Sequence, residues 1–367
     1  MNKKLIVTAM GLVLAGAMGF ANADVKLYGQ LTLELDATDS DVTPTDLNGT
    51  AGSYDDDINM NSNTSAIGVK GSEDLGNGLS AFFKMEYQSD ITEGGALSGR
   101  DQFIGIKMER FGKLTLGTTS TAYKSPGSKI DAFYRTNLQM RGTGLQSNLH
   151  SGKGEEGQGR GTNIARYDSP KFLGGVSAIA TYQFDNDGQG NAEDDDPYSL
   201  GIQYKGGNLY AAASYIDTQQ NDDAAAAQFL AKYTWNDFSF HGIYELDKGL
   251  ITAQRNNGIG DTVNGRNGSA QDDGADIYSA GVTYTIGNNL IGADYGHGSD
   301  SDGVDGISGT GDDLEEYDVW RIAAYHKFSN RTRVFAGYAN TDYEDKGEDD
   351  IFSLGMQIGR ASCRERV

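Results

Sequence analysis

The stretch that decides the fold is EDLGNGLSAFFKMEYQS, residues 73–89, in which a polar turn precedes a run of alternating side chains. In an extended strand, successive side chains point to opposite faces of the sheet. The two faces of this run carry Leu79, Ala81, Phe83, Met85 and Tyr87 on one side and Ser80, Phe82, Lys84, Glu86 and Gln88 on the other. The run therefore predicts a β-strand with one face in an apolar medium and the other in a polar one.

The same alternation recurs along the whole chain and predicts about sixteen strands. They lie near residues 25–37, 64–72, 79–89, 100–109, 112–118, 162–168, 175–184, 197–205, 208–217, 225–235, 238–247, 275–286, 289–297, 317–328, 331–342 and 350–358. Tight connections rich in Gly, Asn and Asp alternate with long polar links near 38–63, 119–161, 248–274 and 298–316. In an up-and-down antiparallel sheet, alternate connections lie at opposite ends, so one end carries short turns and the other carries long loops.

A closed barrel and a two-sheet sandwich would both bury one face of every strand. Two features favour the barrel. On the apolar face, small residues such as Ala and Gly are frequent among Leu and Tyr. The opposite face carries charged residues along its length. A closed barrel also leaves no unpaired backbone group in hydrocarbon. The sequence therefore predicts an all-β, 16-stranded antiparallel transmembrane β-barrel around a polar lumen, with tyrosines near the strand ends at the membrane interfaces.

Residues 1–23 have the order of a cleavable secretory signal. Lys3 and Lys4 precede an apolar run from Leu5, and small residues end the segment at Ala21–Ala23. The alternative is a short buried helix, but the segment is too short to span a membrane as one. We therefore expect an exported chain that begins at Asp24. Its formal net charge, −22 for the whole sequence, argues against nucleic acid as a partner and favours cations.

The end of the chain departs from the strand pattern. Cys363, the only cysteine of the sequence, lies in the segment GRASCRERV at 359–367, so neither an intramolecular disulfide nor a thiolate metal cluster is expected. The segment brings three arginines at once. We interpret the chain from about Ile358 onward as a non-native appendage, such as vector or sequencing-adapter sequence, which leaves 24–358 as the barrel domain.

Several stretches of the chain resemble the Gram-negative general porins. They are DVKLYGQLTLELDA at 24–37, SAIGVKGSEDLGNGLSAFFKMEY at 65–87, GRDQFIGIKMERFGKLTLG at 99–117, NIARYDSPKF at 163–172 and FSLGM at 352–356. The resemblance implies an outer-membrane barrel of a Gram-negative bacterium, with short periplasmic turns and long extracellular loops. It also implies a homotrimer that passes small hydrophilic solutes by diffusion. Lipopolysaccharide, reached through divalent cations, is a further expected partner.

The resemblance also implies a constriction, where the third long loop, about 119–161, folds into the barrel and its acids face a basic wall. We expect Asp131 to be the acid at the narrowing and favour solvated positions for Glu155 and Glu156. Lys129 and Arg135 are cations of the same loop, which also carries Lys124, Arg141, Lys153 and Arg160.

The expected basic wall has five members, of which Lys70 and Arg166 stand at family-matched positions. They are Lys70, Lys84, Lys107, Lys113 and Arg166. Each of these cations could instead balance a neighbouring carboxylate such as Glu86. Thr118 stands where many members of the family have arginine, which predicts a wall that is less basic than usual.

The acidic excess of the chain predicts a mild preference for cations. Alternatives are a barrel selective for one sugar or oligosaccharide, an outer-membrane barrel enzyme and a secreted β-sheet binding protein. The four histidines are scattered, and the sequence has no serine elbow, H-E-x-x-H motif or phosphate loop, so we expect no enzyme and no cofactor. The Asp-rich stretch 299–316 fails the spacing of a calcium loop, so we expect a solvated loop and no metal site.

Overall fold

The computed structural model describes nine parts of the chain: 23–41, 57–153, 159–184, 196–218, 224–256, 262–263, 266–267, 274–303 and 313–364. The predicted leader lies outside the described residues except for Ala23. Glu155 and Glu156, two of the predicted loop acids, also lie outside them.

The described residues contain nineteen strands, numbered here in chain order. They are β1 (Ala23–Ser40), β2 (Asp57–Asn61), β3 (Ala66–Gly76), β4 (Leu79–Gln88), β5 (Ser98–Met108), β6 (Gly112–Ser120), β7 (Arg160–Asp168), β8 (Val176–Gln183), β9 (Tyr198–Gly206), β10 (Leu209–Asp217), β11 (Ala225–Trp235), β12 (Phe238–Lys248), β13 (Thr262–Val263), β14 (Arg266–Asn267), β15 (Ile277–Ile286), β16 (Asn289–Gly298), β17 (Tyr317–Lys327), β18 (Thr332–Tyr343) and β19 (Gly347–Arg364). β13 and β14 pair only with each other, and the other seventeen form one antiparallel sheet.

This sheet closes on itself because β1 pairs with β19 as well as with β3. β2 pairs with the second half of β1, from Glu34 to Thr38, and β3 pairs with its first half, from Ala23 to Gln30. β2 and β3 are therefore one barrel strand with a break between them, where Thr64 has a positive φ of 54°. The predicted closed barrel of sixteen antiparallel strands is confirmed.

Two of the predicted strands differ from the observed ones by more than three residues at an end. The strand predicted at 64–72 is observed as the interrupted pair of β2 and β3. The strand predicted at 350–358 extends from Gly347 to Arg364, and its last residues continue the ladder with β1. The ladder has a register shift at this place, because Gln30 pairs with Gly359 and Gly29 with Ala361, and the non-native origin of the tail stays a prediction.

The two faces of the sheet differ as the alternation predicts. In β4, Met85 on the outer face is 48% exposed, whereas Glu86 on the lumen face is 3% exposed. Leucine, isoleucine and phenylalanine side chains on the outer face of other strands are about half exposed, for example Leu31, Leu200 and Ile322. An apolar outer band with no protein layer over it is typical of a barrel that stands in lipid.

Helical structure is limited to short segments of the connections. They are α1 (Lys124–Gly127), α2 (Leu250–Asn256) and two 3-10 turns at Met140–Gly142 and Asn148–His150. Among the residues described, no helix is both long enough and apolar enough to cross a membrane.

Candidate functional site: a narrowing formed by an inserted loop

The described part of the connection that follows β6, residues 121–153, is called the inserted loop. Many of its large side chains have no solvent exposure, among them Tyr123, Ile130, Phe133 and Leu138. Because these side chains pack among buried residues of the barrel strands, the loop lies inside the lumen, as the resemblance implies. One side of the loop packs on the wall, and the other side faces β3–β7 across a gap.

The wall makes room for the loop by placing glycines under it. A Cβ atom at Gly337 of β18 would lie 2.7 Å from Cδ1 of Leu138. A Cβ atom at Gly296 of β16 would lie 3.0 Å from Cδ2 of Leu145. Since such contacts are closer than ordinary van der Waals distances, larger residues at these wall positions would displace the loop.

The first anchor of the loop is Glu245 of β12, which is fully buried. Its carboxylate accepts hydrogen bonds from the backbone N–H of Ser147, at 2.5 Å, and from the Tyr123 hydroxyl, at 3.1 Å. The ring Nε2 of His150 lies 2.6 Å from the same carboxylate. One wall acid therefore holds three residues from both ends of the loop.

The second anchor is Arg321 of β17, whose side chain is 1% exposed. Its guanidinium pairs with Asp294 of β16 at 2.8 Å and with Asp131 of the loop at 3.3 Å. Asp131 also accepts the backbone N–H groups of Phe133 and Met140, at 3.0 and 2.9 Å. Both loop and wall donors thus satisfy the Asp131 carboxylate.

Asp131 therefore does not lie where the sequence interpretation put it. Its side chain is 1% exposed and turned toward β17, away from the gap that it was expected to line. The cause is Arg321, a wall cation on the side of the barrel opposite to the predicted basic wall. Fully buried acids are stable as anions only when they are paired and hydrogen-bonded, and Asp131 meets both conditions.

The third anchor joins the middle of the loop to β1. The backbone N–H of Asn137 donates to Oε2 of Glu34 at 2.7 Å. The Asn137 side chain donates to Asp36 and accepts a hydrogen bond of 2.8 Å from Asn63, which lies in the break between β2 and β3. Arg135 donates to Gln30 at 3.2 Å. The loop therefore reaches across the lumen to the strand at which the barrel closes.

The side of the gap formed by β3–β7 is strongly basic. Its cations on the lumen face are Lys70, Lys84, Arg100, Lys107, Lys113, Arg160 and Arg166. All five predicted wall residues belong to this group, and the structure adds Arg100 and Arg160. The loop contributes the partly exposed Arg135, whereas the ammonium group of Lys129 donates to Gln203 of β9 at 2.5 Å.

The acids of this wall are fewer than its cations. Asp101 lies 2.6 Å from both Lys84 and Arg160, and Glu86 pairs with Arg100 at 2.9 Å and with Lys84 at 3.0 Å. Asp168 is shared by Arg166, at 2.6 Å, and Lys113, at 3.4 Å.

Three acids thus serve five cations, so the alternative that wall cations balance neighbouring carboxylates applies to Lys84, Lys113 and Arg166. Lys70 and Lys107 have no ion pair within the described parts of the chain. Positive charge is therefore in excess on this wall.

Where the loop leaves and rejoins the wall, five cations surround one cavity of about 280 Å³. They are Arg100, Lys124, Arg141, Lys153 and Arg160, and no acid is among the described residues that line the cavity. Lys124 is 5% exposed, and its ammonium group has no hydrogen bond or ion pair in the described structure.

Burial lowers the pKa of Lys124 well below its usual value, and the charges of Arg141, Arg160 and Arg100 lower it further. Burial also lowers the pKa of Arg141, with a smaller contribution from Arg160. Arg100 and Arg160 are paired with Glu86 and Asp101, whereas Lys124, Arg141 and Lys153 have no ion pair among the described residues, so the cavity has an excess of positive charge.

Sequence reasoning missed Arg100 because strict alternation assigns it to the lipid face. The register between β4 and β5 shifts at this point. Met85 pairs with Gln102 and Tyr87 pairs with Gly99, so one residue between the pairs in β4 is opposite two residues in β5. A β-bulge of this kind places one extra residue in the strand, which turns both Arg100 and Asp101 toward the lumen. No local signal in the sequence marks this bulge.

Comparisons with known proteins agree with the geometry. The sequence profile of the Gram-negative porin family matches residues 8–346. The chain is 27% identical to the major outer membrane protein P.IB of Neisseria meningitidis over 367 residues, which cover 98% of each chain.

Two solved structures share the fold. An anion-selective porin from Comamonas acidovorans matches with a TM-score of 0.70 and 18% identity over 92% of this chain and 100% of that one. An outer-membrane protein of Vibrio cholerae in its trimer form matches with a TM-score of 0.61 and 17% identity over 92% of this chain and 99% of that one.

Proposed function

The chain belongs to the Gram-negative porin family, a family of outer-membrane diffusion channels and not of enzymes, and from this premise we propose that its narrowing favours anions over cations. The observation that carries the proposal is the cavity lined by Arg100, Lys124, Arg141, Lys153 and Arg160, with no acid among its described lining residues. Both sides of the gap are positive there, because Asp131 is turned into the wall.

This proposal departs from the mild cation preference that the net charge predicts. The acidic excess of the whole chain acts mainly in the wide, solvated mouths, where salt screens it over about 8–10 Å. In a narrow gap the fixed charges stand close to every passing ion and are screened less. The charges of the narrowing therefore outweigh the net charge in setting which ions pass.

We further propose that the protein passes small hydrophilic solutes as a homotrimer. The likeness to a porin in its trimer form supports the trimer. We also propose that the acidic stretches at 55–57 and 193–196 bind lipopolysaccharide through divalent cations. Solute size is limited by the inserted loop, because its anchors on Glu245, Arg321 and Glu34 hold it in the lumen.

Reversal potentials test the proposed ion preference. Purified protein is inserted into a planar bilayer that separates two KCl concentrations, and the zero-current potential is recorded. We expect the sign that indicates chloride as the more permeant ion. A potential of the opposite sign would contradict anion preference, and the absence of any channel current would contradict the channel itself.

A further inference from the structure

Two phenylalanines stand on the lumen face of the barrel, among charged side chains. Phe82 lies on the polar face of the strand that opened the sequence analysis, and Phe103 lies on the neighbouring strand β5. Their ring centroids are 6.1 Å apart in an edge-to-face arrangement, and the Phe82 ring extends over Gly105. Lumen positions in a water-filled barrel are normally polar, so two adjacent apolar rings need another explanation.

Three lysines form a row beside these rings. Lys26 of β1, Lys70 of β3 and Lys84 of β4 are directly opposite one another in the ladder, and Phe103 follows Lys84 in the same row. Like charges directly opposite on neighbouring strands repel and destabilise the sheet. An anion bound beside this row would reduce the repulsion between the lysines.

The lysines of the row differ in their partners. Lys26 pairs with Asp24 at 2.7 Å, and Lys84 pairs with Asp101 at 2.6 Å. Lys70, between them, has no carboxylate partner among the described residues, and its ammonium group lies 5.2 Å from the centroid of the Tyr28 ring. One uncompensated positive charge therefore stands at the centre of the row.

The rings and the row share one cavity of about 260 Å³, which Phe82, Phe103 and the three lysines line together with Asp24, the carboxylate paired with Lys26. Lys113, from the neighbouring strand β6, lies 5.5 Å from the centroid of the Phe82 ring. One small molecule can therefore contact two features at once. They are the apolar surface of Phe82 and Phe103, which favours aromatic contacts, and the ammonium group of Lys70, which lacks a negative partner.

We propose that this cavity binds small aromatic carboxylates, with the ring of the ligand against Phe82 and Phe103 and its carboxylate on Lys70. Sugars would leave Lys70 uncompensated, and small inorganic anions would leave the two rings exposed to water. Entry of the ligand rests on the proposed function, because the cavity opens onto the channel. Binding there slows the passage of an aromatic acid and briefly interrupts the flow of other ions.

Single-channel recording with benzoate tests the proposal. Benzoate is added at increasing concentrations to channels that conduct KCl, and the concentration that halves the mean current is determined. Acetate, which lacks the ring, and benzyl alcohol, which lacks the charge, serve as comparison probes. We expect benzoate to block at a concentration about tenfold lower than either of them.

Matched variants separate the site from general effects. Phe82→Leu and Lys70→Gln are each expected to raise the half-blocking concentration of benzoate about tenfold. Phe240→Leu is the control, because Phe240 lies on the outer face of β12 and does not line the cavity. Lys107→Gln is the control for charge, because Lys107 is an exposed lumen cation that does not line the cavity.

The outcomes are distinguishable. Channels that conduct KCl but respond equally to benzoate and acetate overturn the aromatic site and leave the channel intact. An equal loss of block in Phe82→Leu and Phe240→Leu also overturns it, because the effect would then not come from the lumen ring. Protein that conducts no ions contradicts the proposed channel function.

Discussion

The two sides of the inserted loop differ in how far their charged groups are compensated by partners. On the side that packs against β12, β16 and β17, each buried acid has cationic or hydrogen-bonding partners, as Asp131, Asp294 and Glu245 do. On the side that faces β3–β7, cations outnumber acids, and Lys124 has no partner among the residues described. The charges of the first side, called the closed side, are compensated within the protein and hold the loop in place. The second side, called the open side, has uncompensated cations that face the solutes.

This contrast separates structural from functional charges in the lumen. A buried pair is costly to break, because the remaining partner is left as an uncompensated charge in a dry environment. A cation that faces the gap interacts with water and passing ions and contributes little to stability. Changes on the closed side should therefore alter stability and loop position, and changes on the open side should alter selectivity.

The largest expected effect comes from Arg321→Leu, which leaves both Asp131 and Asp294 without their cation. We expect a loss of about 3–5 kcal/mol of stability, together with larger and noisier single-channel currents as the loop leaves the wall. The temperature at which the folded band disappears in detergent gels measures the first effect. Ile322→Val, at the neighbouring lipid-facing position, is the control and should behave like the unchanged protein.

A smaller effect is expected from Glu245→Gln, which keeps the shape of the anchor but removes its charge. An amide cannot accept the hydrogen bonds of Ser147, Tyr123 and His150 together, so about 1.5–3 kcal/mol should be lost. Current noise should rise while ion preference stays unchanged. Leu246→Val, on the other face of β12, provides the comparison, and a Glu245→Gln protein as heat-stable and quiet as that variant contradicts the anchor role.

Neutralising the open side should change selectivity alone. For Lys70→Gln combined with Lys107→Gln, two exposed cations that have no ion pair among the described residues, we expect the chloride-to-potassium permeability ratio to fall about threefold, because two charges of the gap are removed. Thermal stability should change by less than about 1 kcal/mol. Reversal potentials and the gel assay measure both quantities on the same preparation. A large loss of stability would show that these cations also stabilise the fold.

The smallest expected effect is a pH dependence from Lys124. Its pKa is lowered by burial and by neighbouring arginines, so its positive charge is lost at a lower pH than that of an ordinary lysine. Anion preference should therefore decline as the pH rises through this lowered pKa, below the pH of about 10.4 at which an unperturbed lysine titrates. Reversal potentials across this range, with Lys124→Met as a variant that lacks the decline, provide the measurement.

The barrel could be predicted because its strands and turns are encoded in short stretches of the sequence. Alternation with a period of two marks each strand, and turn residues such as Asn77 and Gly78 mark where strands end. The interior could not be predicted in the same way. Asp131 and Arg321 are separated by 190 positions, and Asn137 and Glu34 by 103. No pattern within one sequence links such distant residues, so the loop acid was assigned to the gap.

The basic wall was predicted in part for a related reason. Lys70, Lys84, Lys107, Lys113 and Arg166 follow the alternation and the resemblance, and the structure brings them to one face. Arg100 joins them only through a bulge, and Arg160 only because β7 begins two residues earlier than expected. Register shifts depend on pairing between strands, which local periodicity does not record.

The seam between β1 and β19 has a consequence for how the molecule assembles. These two strands, with eighteen residues each, are joined along a ladder that pairs Leu33 with Met356. Contacts between such distant parts of a chain form slowly, and hydrocarbon does not accept an open sheet edge. Membrane insertion must therefore wait until the last strand has paired. Before that point the exported chain has two long strand edges with unpaired backbone groups, which favour aggregation.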